Sequence, residues 1–188
     1  DAGVVYKDVQ FAQSGLRLGK GGGNAIFIGH VDLDKLQDML TEDVLLVSVA
    51  LVNNEIGTIQ DLAAISRLCR DVGAILHSDF AQAPSAVNLL DYADLADMVS
   101  LSGHKFGGPM GIGALYVSRE LKDHIEPLFH GGGQEWGMRS GTLALPLCVG
   151  IGAAAEFYAS EAGAAAREHV ANLRDLFVNK LQSCRDLI

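Results

Sequence analysis

Lys105 stands in the stretch Ser102-Gly103-His104-Lys105-Phe106-Gly107-Gly108-Pro109. Just before it, Asp97-Met98-Val99-Ser100-Leu101 reads as a buried strand. In open α/β sheets, ligands bind in the crevice beyond the carboxyl ends of the strands. A lysine at that place is either a solvated loop cation or a functional amine. Partial burial would lower its pKa and make it nucleophilic towards a carbonyl, as Schiff-base lysines require. Two further strand ends carry polar residues that a core does not need: Asn53 and Asn54, then Asp79 and Gln82. Parallel strands end on one edge, so these residues are expected to converge with Ser102, His104 and Lys105. An amine that can bond an aldehyde, a carboxylate that can keep a ring nitrogen protonated, and hydroxyl and imidazole groups for a phosphate are the parts of a pyridoxal phosphate site.

Each of these residues also has a plainer use. Asp79 could do no more than cap the turn that follows it. His77 and His104 could be metal ligands, although no carboxylate or cysteine lies at ligand spacing from them. Ser102 could belong to a hydrolytic triad, but it lies in no GxSxG elbow. Gly19-Lys20-Gly21-Gly22-Gly23 could cradle a phosphate, but it lacks the Walker spacing and the Ser or Thr after Lys. The whole of Gln10–Gly29 therefore reads as a flexible, glycine-rich excursion.

The elements that must position the site follow from periodicity. Val4-Val5-Tyr6 is a weak strand signal. Asp32 to Thr41 has Leu33, Leu36, Met39 and Leu40 at helical spacing, with Asp32 placed to cap. Val44–Leu51 is a continuous apolar run, suited to a strand buried on both faces of a parallel sheet. Asp61 to Val72 is a second amphipathic helix ending at Gly73, and it makes Cys69 a packed core thiol. Ala74–Ser78 is the next strand, and the strand before Lys105 follows it. Strand–helix–strand units in succession predict a parallel α/β sheet. Gly113–Val117 is one more strand, whose short connection allows it to run antiparallel. Gly131–Thr142, with five glycines, suits a loop whose backbone approaches another surface closely. After Pro146 come two Ala-rich helices with a break near Ser160–Gly163. The second has Val170, Leu173, Phe177 and Leu181 as its apolar stripe. Tyr158, Arg167 and His169 read as structural or exposed.

The totals narrow the class. In 188 residues, 49% hydrophobic, a substantial core can be buried. The net charge of −9 argues against a nucleic-acid surface, which needs clustered Lys and Arg. The sequence shows no membrane span and no signal peptide. Cys69, Cys148 and Cys184 are odd in number and form no CxxC pair, which fits a reducing, cytoplasmic compartment. The chain opens in mid-pattern without Met and reads as a portion of something longer.

Four blocks, VNNEIG (52–57), HSDFAQ (77–82), SGHKFGGPMGIGALYV (102–117) and HGGGQEWGMRSGT (130–142), resemble the signature blocks of cysteine desulfurases, in the class V, fold-type I group of pyridoxal phosphate enzymes. The resemblance implies an α/β fold with a mostly parallel sheet and flanking helices. It implies a cofactor-binding large domain over 1–155, its N-terminal part missing. Residues 156–188 would then be a helical connection towards the small domain, truncated. Lys105 and His104 are the implied catalytic residues, with Lys105 bonding the cofactor aldehyde and Asp79 pairing with the pyridine nitrogen. Gln82 would bond the ring hydroxyl, Ser102 and His104 would bond the phosphate, Gly103 would belong to the cofactor-binding set, and Asn54 would lie against cofactor and substrate. Thr142 would reach the phosphate of a neighbouring subunit, which implies a homodimer. The implied substrate is L-cysteine, converted to L-alanine while its sulfur passes to an enzyme persulfide. From there it would go to iron–sulfur cluster assembly or thiolation, through a sulfur-acceptor or scaffold protein. The family's nucleophilic cysteine is expected beyond Ile188. A selenocysteine lyase or another class V lyase or aminotransferase is the alternative within the superfamily; an inactive dimerisation or scaffold module is the alternative outside it.

Overall fold

The computed structural model describes residues 24–28 and 32–183. The expected strand at Val4–Tyr6, the Gly19–Gly23 stretch and Cys184 lie outside the described residues. Five strands form one sheet in the order β1 (Asn24–Ile28), β2 (Val44–Ala50), β3 (Ile75–Asp79), β4 (Met98–Ser102) and β5 (Gly113–Val117). The first four are parallel, and β5 runs antiparallel to β4.

Helix α1 (Leu33–Met39) joins β1 to β2, and α2 (Leu62–Val72) joins β2 to β3. Both start where a short acidic side chain can take an orphan backbone N–H. Asp32 accepts the Asp34 N–H at 3.1 Å, and Asp61 accepts the Ala64 N–H at 2.9 Å. Leu36 of α1 and Leu62, Ile65 and Cys69 of α2 pack onto Val47, Val49, Leu76 and Val99. Because strand side chains alternate, those sheet residues share one face, while Ser48, His77 and Asp79 stand on the other. The first face carries the helix-covered core, and the second mixes buried Leu46 and Met98 with the polar side chains of Ser48, His77 and Asp79.

Strand β1 corrects the reading of Gln10–Gly29 as a loop throughout. Its five residues follow three glycines and are too few to signal a strand by themselves. Their pairing with β2, from Asn24↔Val44 to Ile28↔Val49, makes them one. Asn24 Nδ2 also donates to Asp43 Oδ2 at 2.6 Å, tying the start of β1 to the start of β2.

Beyond β5 lie α3 (Leu145–Ala159) and α4 (Glu161–Ser183). Pro146 sits in the first turn of α3, where its missing N–H costs nothing. The helices break at Ser160, so residue 155 falls inside α3. Arg167 Nη1 donates to Tyr158 O at 2.7 Å and folds the start of α4 back on α3. The expected stripe of Val170, Leu173, Phe177 and Leu181 is present, and all four residues are exposed.

Candidate active site

Strand register does the work of assembly. Ala50 stands opposite Asp79, and Asp79 opposite Ser100, so β2, β3 and β4 end side by side. The pairing runs on past the strands: Leu51 N donates to Asp79 O and Phe80 N to Ser100 O, each at 2.9 Å. The loops carrying Asn54, Gln82 and Lys105 therefore leave the sheet from three neighbouring points on one edge.

The Lys105 turn is built from what it buries. Gly103–Phe106 forms a single helical turn directly after β4. Gly103 and Phe106 are buried, which leaves His104 and Lys105, between them, at the surface. Lys105 is thus exposed rather than partly buried. Phe106 meets the Tyr158 ring of α3 edge-to-face, with centroids 6.3 Å apart. Gly107, at φ +82°, ends the turn in the left-handed region, where any other residue would be strained. Gly103 N donates to Ile112 O at 3.0 Å, and Gly108 N to Gly103 O at 2.9 Å. The Gly103 amide is consequently spent on closing the loop, and a Cβ there would meet Pro109 O at 3.0 Å.

Ser102 Oγ and His104 Nδ1 lie 3.2 Å apart and share a hydrogen bond beside Lys105. At the end of β3, Asp79 Oδ1 accepts the Ala81 N–H at 2.7 Å. The carboxylate does cap its turn, but with one oxygen, so Oδ2 is not used there. Gln82 is half-buried in that turn. In the loop after β2 the two asparagines divide their labour. Asn53 Oδ1 accepts the Glu55 and Ile56 N–H groups at 2.9 and 3.0 Å and shapes the loop, while Asn54 is exposed.

Thr142 is exposed in a loop that closes on itself. Ser140 Oγ donates to Phe129 O at 2.9 Å, and Gly141 N to Gln134 Oε1 at 3.2 Å. Glu135 and Trp136 both adopt left-handed φ there, at 49° and 59°. Among the described residues no hydrogen bond links Thr142 to the strand ends.

His77 pairs with Ser48 and His104 with Ser102. Among the described residues no three His, Cys, Asp or Glu side chains come together as metal ligands. Burial, with the Asp97 charge adding to it, pushes the Cys69 thiol up to about 11, which makes it a packed thiol rather than a nucleophile.

One pair was not singled out by spacing. Ser48 Oγ and His77 Nδ1 share a 2.7 Å hydrogen bond across β2 and β3. Ser48 is the one hydroxyl in an otherwise apolar strand, and His77 lies two residues before Asp79. Those were the available signals.

Residues 26–187 match the family model described as aminotransferase class-V. The chain is 48% identical over 153 residues to the cysteine desulfurase IscS of Rickettsia rickettsii (strain Iowa), covering 81% of this chain and 37% of that one. Its fold resembles that of a NifS-like protein at a TM-score of 0.73, with 37% identity over 81% of this chain and 42% of the other. It also resembles SspA in complex with cysteine, at a TM-score of 0.63 and 37% identity, covering 77% and 42%. The chain thus spans a little over a third of the length of the curated relatives it matches. No described helix is long and apolar enough to cross a membrane.

Proposed function

This chain belongs to the aminotransferase class-V family, and on that premise we propose that it forms the cofactor-binding core of a cysteine desulfurase, acting on L-cysteine to give L-alanine and transferable sulfur. Cysteine desulfurases of this family depend on pyridoxal phosphate. The observation that carries the reading is the single edge on which β2, β3 and β4 present an amide, a carboxylate and a Ser–His–Lys turn.

The donor set fits that cofactor. Lys105 offers the amine for its aldehyde and Asp79 a carboxylate oxygen for its ring nitrogen. Gln82 offers an amide for the ring hydroxyl, and Ser102 and His104 a hydroxyl and imidazole for the phosphate. When bound, pyridoxal phosphate supplies an electron-accepting ring joined to the substrate through its aldehyde. The chain's own residues do the rest. Asp79 would hold a proton at the ring nitrogen, and Asn54 would lie against cofactor and substrate. The Lys105 amine would hold and move a proton at Nζ. His104, hydrogen-bonded to Ser102, stands beside Lys105 as the second catalytic group.

We further infer a homodimer in which Thr142 of one copy reaches the phosphate site of the other. Exposed Leu143, Leu145 and Val149 beside that loop support it. The cofactor domain would pass into a connection towards a smaller domain within the α3–α4 pair. A cytoplasmic location and a sulfur-accepting partner complete the proposal, and iron–sulfur cluster assembly or thiolation would be its use.

The test is the visible absorption of the purified chain with pyridoxal phosphate, beside Lys105→Ala. A visible band in the parent, abolished in the variant, is the expected result. A band in both, or in neither, would overturn the assignment of Lys105.

A further inference from the structure

The pairing of Asp79 with a ring nitrogen, as read above, is the premise of a second assignment. On the second face of the sheet, Ser48 and Ala50 of β2 stand opposite His77 and Asp79 of β3, and Met98 and Ser100 of β4 stand opposite the same two residues. His77 and Asp79 are two residues apart in a strand, so their side chains leave the same face. Nothing in the cofactor site described above uses His77, yet its ring is tied to Ser48 Oγ at 2.7 Å. The charge acting on His77 is that of Asp79, from its own strand. Its registered neighbours, Ser48 and Met98, carry none; at the start of β4 the Asp97 carboxylate accepts the Leu76 N–H at 2.8 Å, and at its end His104 and Lys105 lie beyond Ser102. Burial outweighs the attraction to Asp79 and lowers the ring's affinity for a second proton. A neutral imidazole carries one N–H, and Nδ1 can accept from a hydroxyl only when that hydrogen is on Nε2.

We propose that Ser48 and His77 are a positioning pair for Asp79: Ser48 donates its hydroxyl hydrogen to His77 Nδ1, which holds the ring in the neutral Nε2–H form. A charged imidazolium two residues from Asp79 would compete with a protonated heteroaromatic nitrogen for the same carboxylate. A neutral ring leaves that carboxylate undivided. Supporting residues of this kind act by fixing the tautomer and orientation of the group next to the ligand.

The test uses the full chain labelled with 15N-histidine. At pH 7 the His77 ring, assigned by its loss in His77→Asn, is expected to show the single Nε2–H tautomer. Ser48→Ala is expected to mix the tautomers and raise the pH at which the second proton binds, while Ser48→Thr, which keeps the hydroxyl, behaves as the parent. A ring protonated on Nδ1 or on both nitrogens at pH 7 overturns the proposal. In a second measurement, pyridoxal phosphate binding followed by its visible band should weaken about fivefold in Ser48→Ala and His77→Ala, the size of one hydrogen bond. His77→Asn should recover part of that loss. Unchanged affinity in both alanine variants, with an unchanged circular dichroism spectrum, overturns the positioning role. A parent chain with no visible band would bring down the cofactor reading, and the tautomer spectra would then decide the Ser48–His77 pair alone.

Discussion

The two halves of the molecule solve the burial of apolar surface differently. Among the described residues, every buried hydrophobic residue of the core lies between Leu36 and Phe106. Downstream of Phe106 the large apolar residues are outside: Leu115 and Tyr116 on β5, Phe129 and Trp136 in the glycine-rich loop, and Leu173, Phe177 and Leu181 on α4. The first half closes a two-layer core of α1 and α2 on one sheet face. The second half shows the periodicity of an amphipathic helix without a described element to cover it. Apolar patches of that extent on a soluble surface usually mark contact with further protein. The seam between the halves is the Lys105 turn, with Phe106 anchored in the first half and meeting Tyr158 of the second. The strand ends that carry the site thus lie in the half with the buried core, and the outward half would supply the dimer contact under the function proposed above.

Core truncation should give the largest effect. Leu76 is 1% exposed between α2 and the sheet, so Leu76→Ala should cost about 2–5 kcal/mol in urea unfolding. A loss near zero would mean that the first half is not the stabilising one. At the seam, a methyl group on Gly113 would stand 2.6 Å from Leu101 O, across the β4–β5 pairing. Gly113→Ala should cost about 1–3 kcal/mol through forced backbone shifts. It should also disturb the Lys105 turn, which is visible as lost cofactor absorbance. An unperturbed variant would show that β5 is not tightly joined to β4.

A smaller effect is expected from pH. The folded pKa of His77 lies below its ordinary 6.5, so between those two values the unfolded chain binds more protons than the folded one. Stability should therefore fall as pH drops below 6.5 and level off below the folded pKa. The slope should flatten in His77→Gln, as read from urea midpoints across that range. An identical slope in parent and variant would remove His77 as its source.

The smallest effect belongs to the outward stripe. Leu173→Ala should change the stability of the dilute monomer by no more than about 0.5 kcal/mol. If it costs as much as Leu76→Ala at every protein concentration, the contrast between the halves fails. If the cost appears only as concentration rises, the stripe is an interface.

Much of this molecule is local, and local features were readable. Asp32 and Asp61 cap helices because a short acidic side chain can reach the orphan N–H groups within three residues of itself. The run Val44–Leu51 had to be a buried strand, and the short link before Gly113 allowed β5 to turn back antiparallel. Lys105 was placed beyond a strand end by spacing alone. What spacing could not decide is what depends on pairing between distant residues. Strand β1 exists because β2 offers it hydrogen bonds, although its own five residues carry little signal. Ser48 meets His77 across 29 residues of sequence only because their strands share a register. The exposure of Lys105 follows from the burial of Gly103 and Phe106 on either side of the pair it belongs to. The sequence determined the elements and the chemistry each could carry. Strand order and register decided which of those chemistries share an edge, since hydrogen-bonded pairing joins strands that lie far apart along the chain.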